Sequence, residues 1–209
     1  MRTRALGAII AGGRSTRYGA PKALARVGGV RVVDRVASAL RAVVAAADIV
    51  AIVNDAALGD EIALPWRSDV LAGVGAVAGV HAALAWALER GCAGALVVAC
   101  DMPFVESALL RAILDAAEPA VAPDAVLPES AGPRGVEPLC AWYATSCISA
   151  IEAAAARGDG RMIGFHSDIA VTRIPLAQVR AFGDPSLLFR NLNTPADLLD
   201  AERHAAAEP

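Results

Sequence analysis

Residues Arg4–Leu24 read R-A-L-G-A-I-I-A-G-G-R-S-T-R-Y-G-A-P-K-A-L. Ala5–Ile10 is an unbroken apolar run, the pattern of a buried strand. The run stops at Gly12-Gly13, and a polar, basic loop broken by glycine continues to Lys22. A strand opening into such a loop is where α/β proteins hold phosphates. Glycine lets the backbone approach closely, and successive N–H groups form a nest for an anion. Arg14, Arg17 and Lys22 place three cations within nine residues. Lys22 is also the only lysine among nineteen basic residues, which points to a site that needs a compact ammonium rather than a guanidinium fork. The loop is not a Walker A motif: Gly19 is followed by Ala20-Pro21-Lys22-Ala23, with no hydroxyl after the lysine. Pro21 puts Lys22 on an extended loop or at a helix start.

Outward from this stretch, apolar runs alternate with helical periodicity. Helices are expected at Val33–Ala47, Val77–Glu89, Glu106–Ala117 (capped by Ser107), Thr145–Arg157 and Arg161–His166. Strands are expected at Asp48–Val53, Ile62–Arg67, Gly94–Ala99, within Ala120–Leu127, at Pro138–Tyr143 and at Ala170–Ile174. Glu129–Val136, rich in Gly and Pro, reads as a flexible loop. Thr194 at N-cap, Pro195 in the first helical position and Asp197 in the first turn start a last helix, frayed from Ala205. Unbroken apolar strands between helices predict an α/β fold, a mostly parallel sheet covered on both faces. The 209 residues suit a single unit, with a nucleotide-binding half (1–105) and an acceptor-binding half (106–209).

The suggestive polar residues fall just after strand ends: Gly12-Gly13, Asn54, Asp69 and Asp101. Open α/β sheets bind ligands along that edge. The net charge of −3 gives no general attraction to nucleic acid or an anionic membrane, so the basic loop stands out. Cys92, Cys100, Cys140 and Cys147 show neither C-x-x-C nor zinc spacing and read as thiols of a reducing, cytoplasmic compartment. His81, His166 and His204 are scattered. Val70–Leu88 is long enough to span a bilayer, but its glycines and His81 favour a loop leading into a buried helix.

Asp101 leaves the V-V-A-C strand beside the phosphate loop, a placement that suits Mg²⁺, which binds one or two carboxylates, waters and substrate phosphates. With Lys22 and Arg17 it suggests transfer from a nucleoside triphosphate, chemistry that needs charge neutralisation and in-line positioning. An anionic phosphate nucleophile removes the need for a general base. Asp69 can accept from both N–H donors of guanine, contact ribose, or only cap a turn.

Ala11–Leu24, C-D-M-P-F (Cys100–Phe104), E-P-L-C-A-W-Y (Glu137–Tyr143) and N-L-N-T-P-A-D-L (Asn191–Leu198), in this order, resemble the MobA-like nucleotidyltransferases, above all the molybdenum cofactor guanylyltransferases. The resemblance implies a Rossmann-like three-layer sandwich. It implies GTP as substrate and Mg²⁺ as cofactor, with GMP attached to the terminal phosphate of molybdopterin and pyrophosphate released. By position, Ile10, Ala11, Gly12, Gly13 and Lys22 would bind the triphosphate, Asn54 and Asp69 the rest of GTP, and Asp101 the metal and GTP. Arg17 matches the basic position of the family loop. Glu137, Asn191 and Asn193 would face the acceptor or the metal, with helix capping the alternative for the two asparagines. Proteins that deliver the cofactor are implied partners. Gly19-Ala20-Pro21-Lys22 stands where the guanylyltransferases carry G-x-D-K and is nearer to relatives that transfer CMP. Gly75-Ala76-Val77-Ala78-Gly79 lacks the usual proline. Transfer of CMP, or transfer to another small phosphorylated acceptor, therefore stays open, as does a non-catalytic nucleotide-binding module.

Overall fold

The computed structural model describes residues 4–12, 21–71, 74–118 and 122–207. Gly13, Arg14 and Arg17 lie outside the described residues. In chain order the first half forms β1 (Ala5–Ile10), β2 (Arg26–Val27), β3 (Val30–Arg31), α1 (Val32–Arg41), β4 (Ile49–Ile52), α2 (Ala56–Glu61), β5 (Trp66–Arg67), α3 (Ala76–Glu89) and β6 (Gly94–Ala99). The second half adds α4 (Ser107–Ala116), β7 (Ala125–Pro128), β8 (Cys140–Ala144), α5 (Cys147–Ala156), β9 (Val171–Ile174), α6 (Leu176–Val179), α7 (Pro185–Leu188) and α8 (Pro195–Ala207).

Seven strands make one sheet in the order β5-β4-β1-β6-β8-β7-β9. β8 alone runs against its neighbours β6 and β7; the other pairings are parallel. Alternate residues of β1 serve opposite cores. Leu6, Ala8 and Ile10 pack with α3 and α5, whereas Ile9 packs with α1 and α4. The result is a three-layer α/β/α sandwich, as the unbroken apolar runs require. A smaller cluster of Val27, Val32, Phe104, Leu192 and Ala201 ties the β2–β3 hairpin to α8.

Several boundaries differ from expectation. The first helix ends at Arg41, not Ala47: the N–H groups of Val43 and Val44 both close on the Leu40 carbonyl, and the chain leaves the helix to bury Val44. Asp48 belongs to a 3₁₀ turn rather than to a strand. The residue is 4 % exposed, and its carboxylate accepts from Arg4 Nε at 2.9 Å and Nη2 at 2.6 Å. The expected strand Ile62–Arg67 is only the pair Trp66–Arg67, and α2 precedes it, capped by Asp55, whose carboxylate accepts from the N–H groups of Ala57 and Leu58. Ser107 is the first helical residue of α4 and Glu106 its N-cap, without a side-chain cap. Residues 161–166 do not form a helix. Asp159 accepts from the backbone N–H and guanidinium of Arg161, which turns the chain, and the 3₁₀ turn falls at His166–Asp168. The last helix continues to Ala207, because Ala205 packs on the small cluster.

Two stability predictions arise here. A Cβ on Gly94 would lie 2.2 Å from the Tyr143 carbonyl oxygen and 2.8 Å from Ala144 Cα, both backbone atoms of β8. Gly94→Ala must therefore push β6 and β8 apart. A loss of about 3 kcal/mol is expected from the denaturation midpoint; an unchanged midpoint would show that the sheet yields there at no cost. His166 stands edge-on to Phe165, with ring centroids 4.8 Å apart, and its Nε2 is buried without a hydrogen-bond partner among the described residues. Burial, aided by Arg173, pushes its pKa from 6.5 down to about 4. The unfolded chain takes up this proton near 6.5 and the folded chain only near 4, so stability falls as pH drops through that window. His166→Phe keeps the ring contacts and removes the proton. Its melting temperature should drop less than that of the wild type across the same window, and equal drops would assign the acid sensitivity to other groups.

Candidate active site

The parallel strands β1, β4, β5 and β6 end on one edge of the sheet. The backbone ladder continues past them: Ala11 N–H bonds the Ile52 carbonyl at 2.9 Å, Val53 N–H the Arg67 carbonyl at 2.9 Å, and Cys100 N–H the Ile10 carbonyl at 3.0 Å. This brings Ala11-Gly12, Asn54, Asp69 and Asp101 side by side. β8 runs the opposite way, so its start, preceded by Glu137 and Leu139, reaches the same edge.

Two adjoining cavities open there. One, of about 400 Å³, is lined by Ile10, Gly12, Lys22, Asp101, Arg134 and Asn193, with Ala11, Leu139 and Asn191 among its other walls. The second, of about 310 Å³, is lined by Ile10, Gly12, Asn54, Asp69, Gly75 and Gly79. Ile10, Gly12 and Ala76 belong to both. Among the described residues, a Cβ on Gly12 would meet no atom within 4 Å. Gly75, at φ +60, turns the chain into α3. Gly79 lets α3 close on β1, since a Cβ there would lie 2.9 Å from Ile10 Cγ2. A further cavity at the opposite edge, about 290 Å³, includes Arg4 and Asp48, which already satisfy each other, and brings together none of the residues read from the sequence.

In the first cavity, Pro21 is extended and starts a 3₁₀ turn at Lys22–Leu24. Lys22 Nζ donates to Asn193 Oδ1 at 2.9 Å. Leu192 N–H donates to the Asp101 carbonyl at 3.1 Å, locking the Asn191–Asn193 segment beside the end of β6. The asparagines do not cap α8. Thr194 and Asp197 do: Asp197 Oδ2 accepts from the N–H groups of Asn193 and Thr194, and Thr194 Oγ1 accepts from Asp197 N–H. The Asn193 amide is thereby left to hold Lys22. Asn191 Nδ2 donates to the Phe189 carbonyl at 3.3 Å.

Burial pushes the Asp101 carboxyl above the ordinary aspartate range; the Lys22 ammonium and the residue's own backbone N–H oppose that shift. Glu137 is likewise raised by burial and by the Asp101 charge, with Arg134 pulling it down. Glu137 thus stands behind the cavity, close enough to feel Asp101, without lining it. Burial pushes the neighbouring Cys100 thiol up to about 12, so it is no nucleophile. Among the described residues no group of three His, Cys, Asp or Glu side chains could hold a metal unaided. One desolvated carboxylate facing open space instead fits a hard cation that draws its remaining oxygens from water and phosphate, as Mg²⁺ does.

In the second cavity Asn54 and Asp69 grip each other. Asn54 Nδ2 donates to Asp69 Oδ2 at 2.7 Å, and Asp69 N–H donates to Asn54 Oδ1 at 3.0 Å. Ser68 Oγ donates to the Val53 carbonyl at 3.1 Å and fixes the same turn. The Asp69 carboxylate is held rigid on one side and keeps acceptor capacity on the other.

The lysine, the aspartate and the asparagine pair, read separately along the chain, therefore occupy one connected cleft. Residues 7–169 match the family model described as the MobA-like NTP transferase domain. The chain belongs to the MobA-like NTP transferase family. Its similarity to members extends over nearly the whole length. A "probable molybdenum cofactor guanylyltransferase" of Pelotomaculum thermopropionicum is 37% identical, over 95% of this chain and 92% of that one. The molybdenum cofactor guanylyltransferase of Desulfosudis oleivorans is 33% identical, over 94% and 93%. The crystal structure of molybdopterin-guanine dinucleotide biosynthesis protein A from Archaeoglobus fulgidus superimposes with a TM-score of 0.78 at 28% identity, over 96% of this chain and 98% of that one. As a MobA-like NTP transferase, the chain carries the nucleotidyltransferase fold and class.

Reading the sequence alone missed Arg134, which lines the larger cavity from the β7–β8 connection. The available signal was a lone arginine between Gly132-Pro133 and Gly135, in a loop joining two strands. No helix among the described residues is long and apolar enough to cross a membrane.

Proposed function

We propose that this protein transfers GMP from GTP to the terminal phosphate of molybdopterin, with Mg²⁺ held at Asp101. The observation that carries the reading is the single cleft in which Lys22 and Asp101 face the same space and the Asn54–Asp69 pair lines its extension. The base lies in the smaller cavity against Asp69. A guanine there pairs two N–H donors with one rigid carboxylate, and a base without them leaves that carboxylate unpaired, a strong basis for discrimination. The triphosphate passes over Gly12 to Lys22. Bound Mg²⁺ would neutralise phosphate charge and hold the leaving pyrophosphate oxygens. An oxygen of the acceptor phosphate forms a bond to the α-phosphorus. The bond from the α-phosphorus to the α,β-bridging oxygen breaks, and pyrophosphate leaves with its electron pair. The attacking oxygen is already anionic, so no side chain need remove a proton, in keeping with a cleft lined by no histidine.

The names of the relatives support the guanylyl and molybdopterin assignments. The free thiols Cys92, Cys100, Cys140 and Cys147 support a reducing, cytoplasmic setting, where proteins that deliver molybdopterin would be partners. The test is pyrophosphate release from each of GTP, CTP, ATP and UTP with molybdopterin and Mg²⁺. GTP should be used at least about a hundredfold better than the others. Turnover with CTP and none with GTP would overturn the base assignment.

A further inference from the structure

We infer that Arg134 binds the attacking phosphate of the acceptor, an inference that rests on the reading above. The β7–β8 connection is not a slack loop. Glu129 and Val136 form an antiparallel bridge, and Ser130 N–H bonds the Gly135 carbonyl at 3.1 Å. Gly135 N–H bonds the Gly132 carbonyl at 2.9 Å, and Glu137 N–H bonds the Pro128 carbonyl at 3.0 Å. Gly135 takes φ +69, so the tip is a tight reverse turn on a two-stranded stem. This turn carries Arg134 to the wall of the cavity that also holds Lys22, Asp101, Asn191 and Asn193.

Four other arginines of the second half are committed. Arg157 pairs with Asp168, Arg161 with Asp159, and Arg190 and Arg203 with Asp200. Arg134 donates no hydrogen bond to any described residue, and its donor fork remains available to a ligand.

Charge balance says which ligand. A nucleotide with its base against Asp69 runs across Gly12 to Lys22 and Asp101, and this path stays clear of Arg134, which does not line the base cavity. The wall left over is Arg134, Leu139 and Asn191. A phosphate dianion entering there meets the charge of the triphosphate, to which Lys22 and the Mg²⁺ at Asp101 are already committed on this reading, and Glu137 stands behind. Among the described residues Arg134 is the cation on that side of the cavity. A guanidinium grips two phosphate oxygens side by side, and this leaves the third oxygen directed at the α-phosphorus. Arg134 is therefore an acceptor-binding residue that also sets the angle of attack.

The test separates this role from the identity of the acceptor. With Mg²⁺ and a saturating α,β-methylene analogue of GTP, molybdopterin and, separately, inorganic phosphate are titrated into wild type, Arg134→Ala and Arg134→Lys. Arg134→Ala should weaken both ligands at least about tenfold, with Arg134→Lys between it and wild type, and the analogue should bind all three proteins alike. Binding of both ligands to Arg134→Ala at wild-type strength overturns the inference. So does an equal loss of affinity for the analogue, which would put Arg134 on the nucleotide. Arg134-dependent binding of phosphate without binding of molybdopterin supports the phosphate role and strikes molybdopterin as the acceptor. The turn is exposed and its backbone bonds do not involve the side chain, so the variants should fold, as circular dichroism will confirm.

Discussion

Asp101→Asn is expected to cut nucleotidyl transfer by about 10³-fold, about 4 kcal/mol of lost transition-state stabilisation, in a protein that still folds and binds nucleotide. The side chain keeps its shape and loses its charge. The contact that organises the surroundings, Leu192 N–H to the Asp101 carbonyl, is made by backbone and survives. What disappears is the desolvated carboxylate that, on the proposed reading, faces the phosphates. A neutral amide there neither holds a divalent cation nor balances Lys22. Removing a buried charge whose pKa burial has already raised also relieves a desolvation cost, so the melting temperature should hold or rise. Pyrophosphate release at saturating Mg²⁺ measures the first effect, and nucleotide binding in EDTA, equal to that of wild type, shows that the cleft is intact. A variant that keeps more than about a tenth of the activity would remove Asp101 from the chemistry. The wild-type profile has a matching signature. Because burial raises this carboxyl, activity should fade at a higher pH on the acid side than an ordinary aspartate would dictate, and Glu137, raised the same way, adds to that limb.

Asp101 was legible because it follows the continuous apolar strand β6, and Lys22 because it closes a loop that β1 opens. The physics that places both is local: buried strands end where polar residues begin. Features that depend on distant partners were not legible. Val43 and Val44 continue the helical spacing of α1, so nothing local reveals that the chain departs to fill the core with Val44. Asp48 extends an apolar run and looks like a strand start, yet its burial depends on Arg4, forty-four residues earlier. α2 is short and built from A-A-L-G-D-E; its one local mark was Asp55 as N-cap. In the cleft, the bond from Lys22 to Asn193 spans 171 residues, and Arg134 is delivered by the pairing of β7 with β8. Contacts across that distance follow from topology, and periodicity carries no record of them.

Lys22→Ala is expected to cost about 10²- to 10³-fold in turnover, and its pH profile should move in a direction that a purely structural lysine would not produce. Lys22 does two things at once. On the proposed reading it brings an ammonium to the path of the polyphosphate, and it lowers the pKa of Asp101 against the pull of burial. Without the ammonium, Asp101 rises further and holds its proton to a higher pH. The acid limb of the residual activity should therefore shift upward, and raising the pH should recover part of the loss. Lys22→Arg restores the charge but not the compact geometry; it should return the acid limb to its wild-type position while turnover stays below wild type. Asn193→Ala leaves the charge and removes its anchor. A loss of about tenfold is expected there, with the limb nearly unmoved, because Asn193 acts through the position of Lys22. Rate profiles for the three variants separate charge from placement. An acid limb in Lys22→Ala that coincides with wild type would mean that the two side chains do not share an electrostatic field, and the single cleft on which the transferase reading stands would lose its chemical meaning.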